Sequence, residues 1–330
     1  MEARVLIPVD NQECTVSALK SVMSRGWDKD TKFLLLKVVE DFSELLYANE
    51  LGHSEALSIE QEQYTYEMRM WLNELTDSFS KVFPDTQSRM EFGRVSQRIC
   101  EIAYEWCADY IAIGSHDRHL SYRCALGSIA AEVLSSAPCS VEAIRYKDLH
   151  RLLMQEGKIT DDDIQAIVCP PSRIMVAVDL SHVSEVVIDW VGSIGWTEGA
   201  NLRLVTVDNP QHRDEKSHWN RGIGTLYTRE GQRHKIVESK LRDLETRLEA
   251  ICKIPHDSTI IRHETPATAI IQAASEWNAD FVVIGASSER SQYGTKVGST
   301  PLEIIAGLHC SLAIIQADSE RRPTFSWRRK

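Results

Sequence analysis

Glu105-Trp106-Cys107-Ala108-Asp109, running into the strand-like Tyr110–Gly114, returns 171 residues later as Glu276-Trp277-Asn278-Ala279-Asp280, running into Phe281–Gly285. Outward from this stretch the agreement continues in order. Leu126-Gly127-Ser128 meets Val297-Gly298-Ser299, and Cys139-Ser140 meets Cys310-Ser311. Toward the N-terminus the offset becomes 169, where Val22, Ser24, Gly26 and Trp27 fall on Val191, Ser193, Gly195 and Trp196. A period this long is the mark of a duplicated domain rather than a solenoid repeat. The two-residue drift places a small length change between the second strand and the third helix.

Each half reads as strand, helix, strand, long helix, strand, helix, strand, helix, strand. In the first half the strands fall at Arg4–Val9, Phe33–Val39, Ser88–Phe92, Tyr110–Gly114 and Val141–Arg145. Helical spacing covers Thr15–Ser24, Glu55–Val82, Val95–Trp106 and Ser128–Ala137. The second half has strands near Ile174–Val178, Arg203–Val207, Thr259–Arg262, Phe281–Gly285 and Leu312–Gln316. Apolar strands that alternate with helices suit a parallel sheet covered on both faces. Right-handed crossovers make each half a doubly wound α/β domain. The expected bounds are 1–146 and 172–318, with a linker over 147–171 and a basic tail over 319–330. Asp161-Asp162-Asp163 reads as a solvated part of that linker, and Pro170-Pro171 breaks an incoming helix.

Composition narrows the function. The 330 residues are 43% hydrophobic and 26% charged, with 48 acids against 37 bases and a net charge of −11. That balance disfavours nucleic acid and anionic lipid as partners. No apolar stretch has the length of a membrane helix. Eight cysteines, none in a C-x-x-C pair, fit a reduced, cytoplasmic protein without a disulfide framework. No Ser-His-Asp or Cys-His set is recoverable from order or spacing, so no general base is named. His116, His119 and Cys124 cluster without a strong zinc pattern.

Ligands of doubly wound sheets sit beyond the carboxyl ends of the strands. Strand one ends in Pro8-Val9-Asp10 and Ala177-Val178-Asp179. Strand four ends in Gly114-Ser115-His116-Asp117 and Gly285-Ala286-Ser287-Ser288. Gly127-Ser128 and Gly298-Ser299-Thr300 then open a helix. Physically this is an anion cradle, in which a glycine admits the ligand and a helix N-terminus offers free N–H groups. Each serine either caps the helix or donates its hydroxyl to a phosphate oxygen. Asp10 and Asp179 serve as helix caps, as ligand contacts, or as both.

These residues resemble the universal stress protein (UspA) family, whose signature is Gly-2x-Gly-9x-Gly-(Ser/Thr) after a D-x-x-V-I-G strand. Val5-Leu6-Ile7-Pro8-Val9-Asp10 and the closing Pro138-Cys139-Ser140-Val141-Glu142-Ala143-Ile144-Arg145 fit the family's ends. The resemblance covers both halves and implies two adenine nucleotide alpha hydrolase-like domains. Each would carry five parallel strands in the order 3-2-1-4-5. It further implies pairing through the fifth strand, here between the two halves, with a homodimer of chains as a further level. ATP, with Mg2+, is the implied ligand. Adenine would lie near Pro8, Asp10 and Val38, or near Ala177, Asp179 and Val207. Phosphates would follow Gly114, Gly127, Ser128 and Ile129, or Gly285, Ser288, Gly298, Ser299 and Thr300. The middle glycine of the signature is replaced by Asp117 and by Ser288, and Lys296 faces Ala125 in the alignment of the halves. The aspartate would set a charge against phosphate, so the second half is the expected nucleotide site. A stress-response binding protein is the leading reading; a scaffold with vestigial cradles and a slow ATPase are the alternatives.

Overall fold

The structure, a computed structural model, describes residues 3–10, 13–40, 54–115, 126–145, 171–196, 198–209, 226–286 and 297–317. They fall into two compact units, one carrying residues 3–145 and the other 171–317. The first holds β1 (Arg4–Pro8), α1 (Glu13–Met23), β2 (Lys32–Val39), α2 (Ser54–Ser80), β3 (Thr86–Phe92), α3 (Val95–Glu105), β4 (Tyr110–Ser115), α4 (Ser128–Ser136) and β5 (Ser140–Arg145). The second holds β6 (Arg173–Val178), α5 (His182–Ser193), β7 (Asn201–Asp208), α6 (Leu226–Ile251), β8 (His256–Arg262), α7 (Pro266–Glu276), β9 (Phe281–Gly285), α8 (Ser299–Gly307) and β10 (Ser311–Ile315).

Within the first unit the strands run in parallel in the order β3-β2-β1-β4-β5. The second repeats it as β8-β7-β6-β9-β10. This is the order 3-2-1-4-5 in both halves. The inner strands are buried along nearly their whole length, as helices on both faces of a parallel sheet require. Leu6, Ile7, Phe33, Leu35, Leu36 and Ile111 form much of the first core, with Ile174 and Phe281 among the second's.

The length drift splits into two single residues. β8 lies 170 residues after β3, and α7 lies 171 after α3. One residue is therefore added ahead of β8. The other lies in the next turn, where His263-Glu264-Thr265 replaces Gly93-Arg94.

The repeated Glu-Trp-x-Ala-Asp stretch is a helix terminator. Beyond α3, Cys107 adopts a left-handed φ of 54°, and beyond α7 Asn278 does so at 53°. The N–H of Ala108 donates to Ala103 at 2.8 Å, and that of Ala279 to Ala274 at 2.8 Å. Cys107 donates to Tyr104 and Asn278 to Ser275, both at 3.1 Å, completing a Schellman pair in each half. The aspartate that follows then seizes the start of strand one. Asp109 Oδ2 accepts from the Arg4 N–H at 2.9 Å, and Asp280 Oδ1 from the Arg173 N–H at 3.0 Å. The arginine side chains return to the helix ends, Arg4 to the Trp106 carbonyl at 2.8 Å and Arg173 to that of Trp277 at 3.2 Å. The clearest repeat in the chain thus joins helix to sheet at the amino edge, opposite the carboxyl edge at which doubly wound sheets in general bind ligands.

The paired tryptophans have an equally local reason. Trp27 Nε1 donates to the Val22 carbonyl at 2.6 Å, and Trp196 Nε1 to that of Val191 at 2.8 Å. Each ring then packs inward, against Phe33 at 5.6 Å and against Phe281 at 5.9 Å.

Candidate functional site at the carboxyl edge of the strands

β1 pairs with β2 on one side and β4 on the other, so the sequence-marked residues of the first half converge on one edge. Pro8 closes β1, Asp10 stands two residues beyond it, Val38 is the penultimate residue of β2, and Gly114 that of β4. In the second half Ala177, Asp179, Val207 and Gly285 take the matching places on β6, β7 and β9. Asp117, Ser288 and Lys296 lie outside the described residues, as do His116, His119, Cys124, the linker and the basic tail.

Both aspartates are already held by their own helix. Asp10 Oδ1 accepts from the Thr15 hydroxyl at 2.8 Å, while Thr15 Oγ1 accepts the Asp10 N–H at 2.7 Å. Asp179 Oδ1 accepts from the Ser184 hydroxyl and from the Ser181 N–H, both at 2.9 Å. The hydroxyl stands five residues after the aspartate in each case, a spacing visible in the sequence that would have revealed the latch. Between Asp179 and Ser181, Leu180 is held at a φ of 62°, a left-handed geometry that costs a leucine roughly 1–2 kcal/mol. Ser181, not Asp179, holds the N-cap position of α5, so the aspartate fixes the approach to the helix rather than capping it.

The cradle differs from expectation in one respect: the glycine, not the serine, takes the cap position. Gly127 caps α4 at φ −53° and Gly298 caps α8 at φ −72°, neither with a side-chain capping bond. Ser128 and Ser299 are the first helical residues, which frees their hydroxyls from that duty. Neither glycine needs a left-handed backbone, so what each contributes is the absence of a side chain at the mouth of the helix. In the first intrahelical bonds Ala131 donates to Gly127 and Leu302 to Gly298. The N–H groups of Ser128, Ile129 and Ala130 consequently have no helical acceptor, the condition that favours an anion. In α8 only Ser299 and Thr300 offer such groups, because Pro301 has no N–H.

One further difference separates the halves. Ser115, at the end of β4, accepts the Gly127 N–H on its hydroxyl at 3.0 Å and so ties the two ends of the intervening loop together. Ala286 stands at that place in the second half. Gly285 is small for a reason of packing: a Cβ there would lie 2.7 Å from Val183 Cγ1 of α5. The glycine thus admits the helix to the sheet, whatever else it does at this edge.

Comparison with known proteins settles the lineage. The family model of the universal stress proteins matches residues 1–145 and again 171–316. The chain belongs to the universal stress protein family. Among solved structures, a universal stress protein from Archaeoglobus fulgidus DSM 4304 superposes with a TM-score of 0.55 at 16% identity, covering 95% of this chain and 98% of that one. A functionally unknown protein, PA1789 from Pseudomonas aeruginosa PAO1, gives 0.55 at 13% identity, over 96% and 92% of the two chains. A putative universal stress protein from Pseudomonas aeruginosa UCBPP-PA14 gives 0.52 at 13% identity, over 96% and 93%. At these identities the likeness is one of fold, across a chain with two universal stress protein domains. No curated protein matches the sequence. Among the described residues no helix is long and apolar enough to cross a membrane.

Proposed function

We propose that this tandem universal stress protein binds adenine nucleotide, ATP foremost, at the carboxyl edge of its strands and acts as a ligand-dependent binding protein in the stress response. The observation that carries the reading is the convergence, in both halves, of the aspartate after strand one, the strand-two valine and a glycine-capped helix N-terminus. The phosphates would meet the N–H groups and hydroxyls of Ser299 and Thr300, with Gly298 leaving room. The base would lie toward Asp179 and Val207. Mg2+ would arrive on the phosphates of the bound nucleotide. The same reading puts the protein in the cytoplasm, where cysteines stay reduced.

Magnitudes favour the second half. An aspartate charge about 4 Å from a phosphate costs roughly 4 kcal/mol at an effective dielectric near 20. The donor lost to Pro301 is worth about 0.5–1.5 kcal/mol. Asp117 therefore weighs more against the first cradle than Pro301 weighs against the second. The same two residues together favour a second reading, a scaffold whose cradles are both impaired. Calorimetric titration with Mg-ATP separates the two. Saturable binding near one site per chain, abolished by Gly298→Val, is expected of the nucleotide reading; no heat, and no competition by ADP or AMP, belongs to the scaffold.

A further inference from the structure

α1 is fastened to the first half's sheet by polar groups sealed from solvent. Arg25, in the turn after α1, is 7% exposed, Glu142 on β5 1%, Tyr110 on β4 1% and Ser21 on α1 9%. Arg25 Nη2 donates to Glu142 Oε1 in a close ion pair, and the Tyr110 hydroxyl donates to Glu142 Oε2. Arg25 Nη1 reaches the Tyr110 oxygen at 3.2 Å, and Nη2 reaches Ser21 Oγ at 3.2 Å. The Ser21 hydroxyl in turn donates to Glu142 Oε1 at 3.3 Å. Both oxygens of the carboxylate are engaged, and the buried Arg25 guanidinium faces the buried Glu142 carboxylate directly.

The second half carries none of this at the same four places. The offsets that align the halves put Trp190 on Ser21, Ile194 on Arg25, Phe281 on Tyr110 and Ala313 on Glu142. Strand register agrees, since Ala112 pairs with Glu142 as Val283 pairs with Ala313. All four are buried apolar residues, from 0% exposed for Phe281 and Ala313 to 6% for Trp190. A buried ion pair is no better for stability than a well-packed apolar set of similar size, and often worse. The second half demonstrates that this topology closes without one.

We infer that the Ser21-Arg25-Tyr110-Glu142 quartet is a matching device that lets the first helix of the first half dock only on its own sheet. A chain with two halves of one topology can dock α1 on the second sheet, or α5 on the first. Misassembly of this kind is the characteristic failure of repeated domains. On the wrong sheet Arg25 would be buried against Phe281 and Ala313 with no anion. In the converse error Glu142 would be buried against Trp190 and Ile194 with no cation. Stranding a buried charge costs roughly two to three orders of magnitude in the docking equilibrium. Two apolar sets would lack this discrimination.

The test uses the full chain and three variants: S21W/R25I, which makes α1 resemble α5; Y110F/E142A, which makes the sheet resemble the second; and all four together. Hydrogen exchange across residues 13–25 and 110–115 is expected to quicken by roughly two to three orders of magnitude in each two-residue variant and to return to within about tenfold of wild type in the four-residue variant. Two-residue variants as protected as wild type, or a four-residue variant no better than its parents, would overturn the match. Refolding then separates discrimination from mere support. After dilution from urea, to conditions of equal stability, the four-residue variant should yield severalfold less protein eluting at the native position by size exclusion, the remainder being misdocked or exchanged chains. A yield equal to that of wild type would sink the proposal.

Discussion

Tyr110 and Phe281 differ by one hydroxyl, and that atom gives the first half a titration that its counterpart in the second lacks. Burial first, and repulsion from the Glu142 carboxylate second, hold the Tyr110 phenol well above its ordinary value near 10. Beside it, burial alone would lower the Arg25 guanidinium, but Glu142 and Tyr110 outweigh it and hold Arg25 above its ordinary range. The unfolded chain therefore loses the tyrosine proton before the folded one does. The stability this represents is complete below pH 10 and declines as pH rises from there toward the raised folded value. Urea midpoints followed by exchange at residues 110–115 should fall above pH 10 and stay level between 7 and 9. A midpoint that ignores alkali would contradict the burial of the phenol. At the amino edge, Asp109→Ala and Asp280→Ala each remove a charge-assisted bond to the start of strand one. Each should cost about 1.5–3 kcal/mol in its own half, read from the urea midpoint.

At the scale of the element, helix ends explain which repeats survive between the halves. Cys107 and Asn278 sit in left-handed geometry at the close of α3 and α7, where a glycine has no Cβ penalty. Cys107→Gly and Asn278→Gly should each stabilise by about 0.5–1 kcal/mol, with asparagine gaining less because it tolerates that region better. Gly285→Ala should do the reverse. Its new Cβ meets Val183, and overpacking of this kind costs about 1–3 kcal/mol in the thermal midpoint. Most of this was legible in advance. Strands with apolar runs, such as Phe33–Val39, announced their burial, and expected and observed bounds differ by three residues at most. Cap chemistry was harder to read, because Gly-Ser at 127–128 and 298–299 allows either residue to be the cap. Only backbone angles decide between them, and they choose the glycine.

For the whole molecule, duplication has produced two sheets of one order with different insides and different mouths. The order 3-2-1-4-5 followed from the resemblance that the strand-end motifs carry, and the carboxyl-edge cluster followed from that order. The hydroxyl latches Thr15 and Ser184 and the tie from Ser115 to Gly127 were present in the sequence as bare spacings. What gives them meaning is which side chain turns toward which, and no periodicity reports that. The buried quartet was the least legible part. A lone arginine and a lone glutamate 117 residues apart look like surface charges until the fold brings them together. The asymmetry at the mouths leads to a prediction for nucleotide: Asp117→Ser should raise the first half's affinity for Mg-ATP by tenfold or more, seen as a second site in calorimetry.

The most direct measurement is a crystal structure of the full chain grown with Mg2+ and a non-hydrolysable ATP analogue. Triphosphate density against the N–H groups of Ser299 and Thr300, with the first-half cradle empty, is the predicted result. Equal density in both halves would refute the preference for the second, and an analogue bound elsewhere, or not at all at saturating concentration, would refute the nucleotide reading itself.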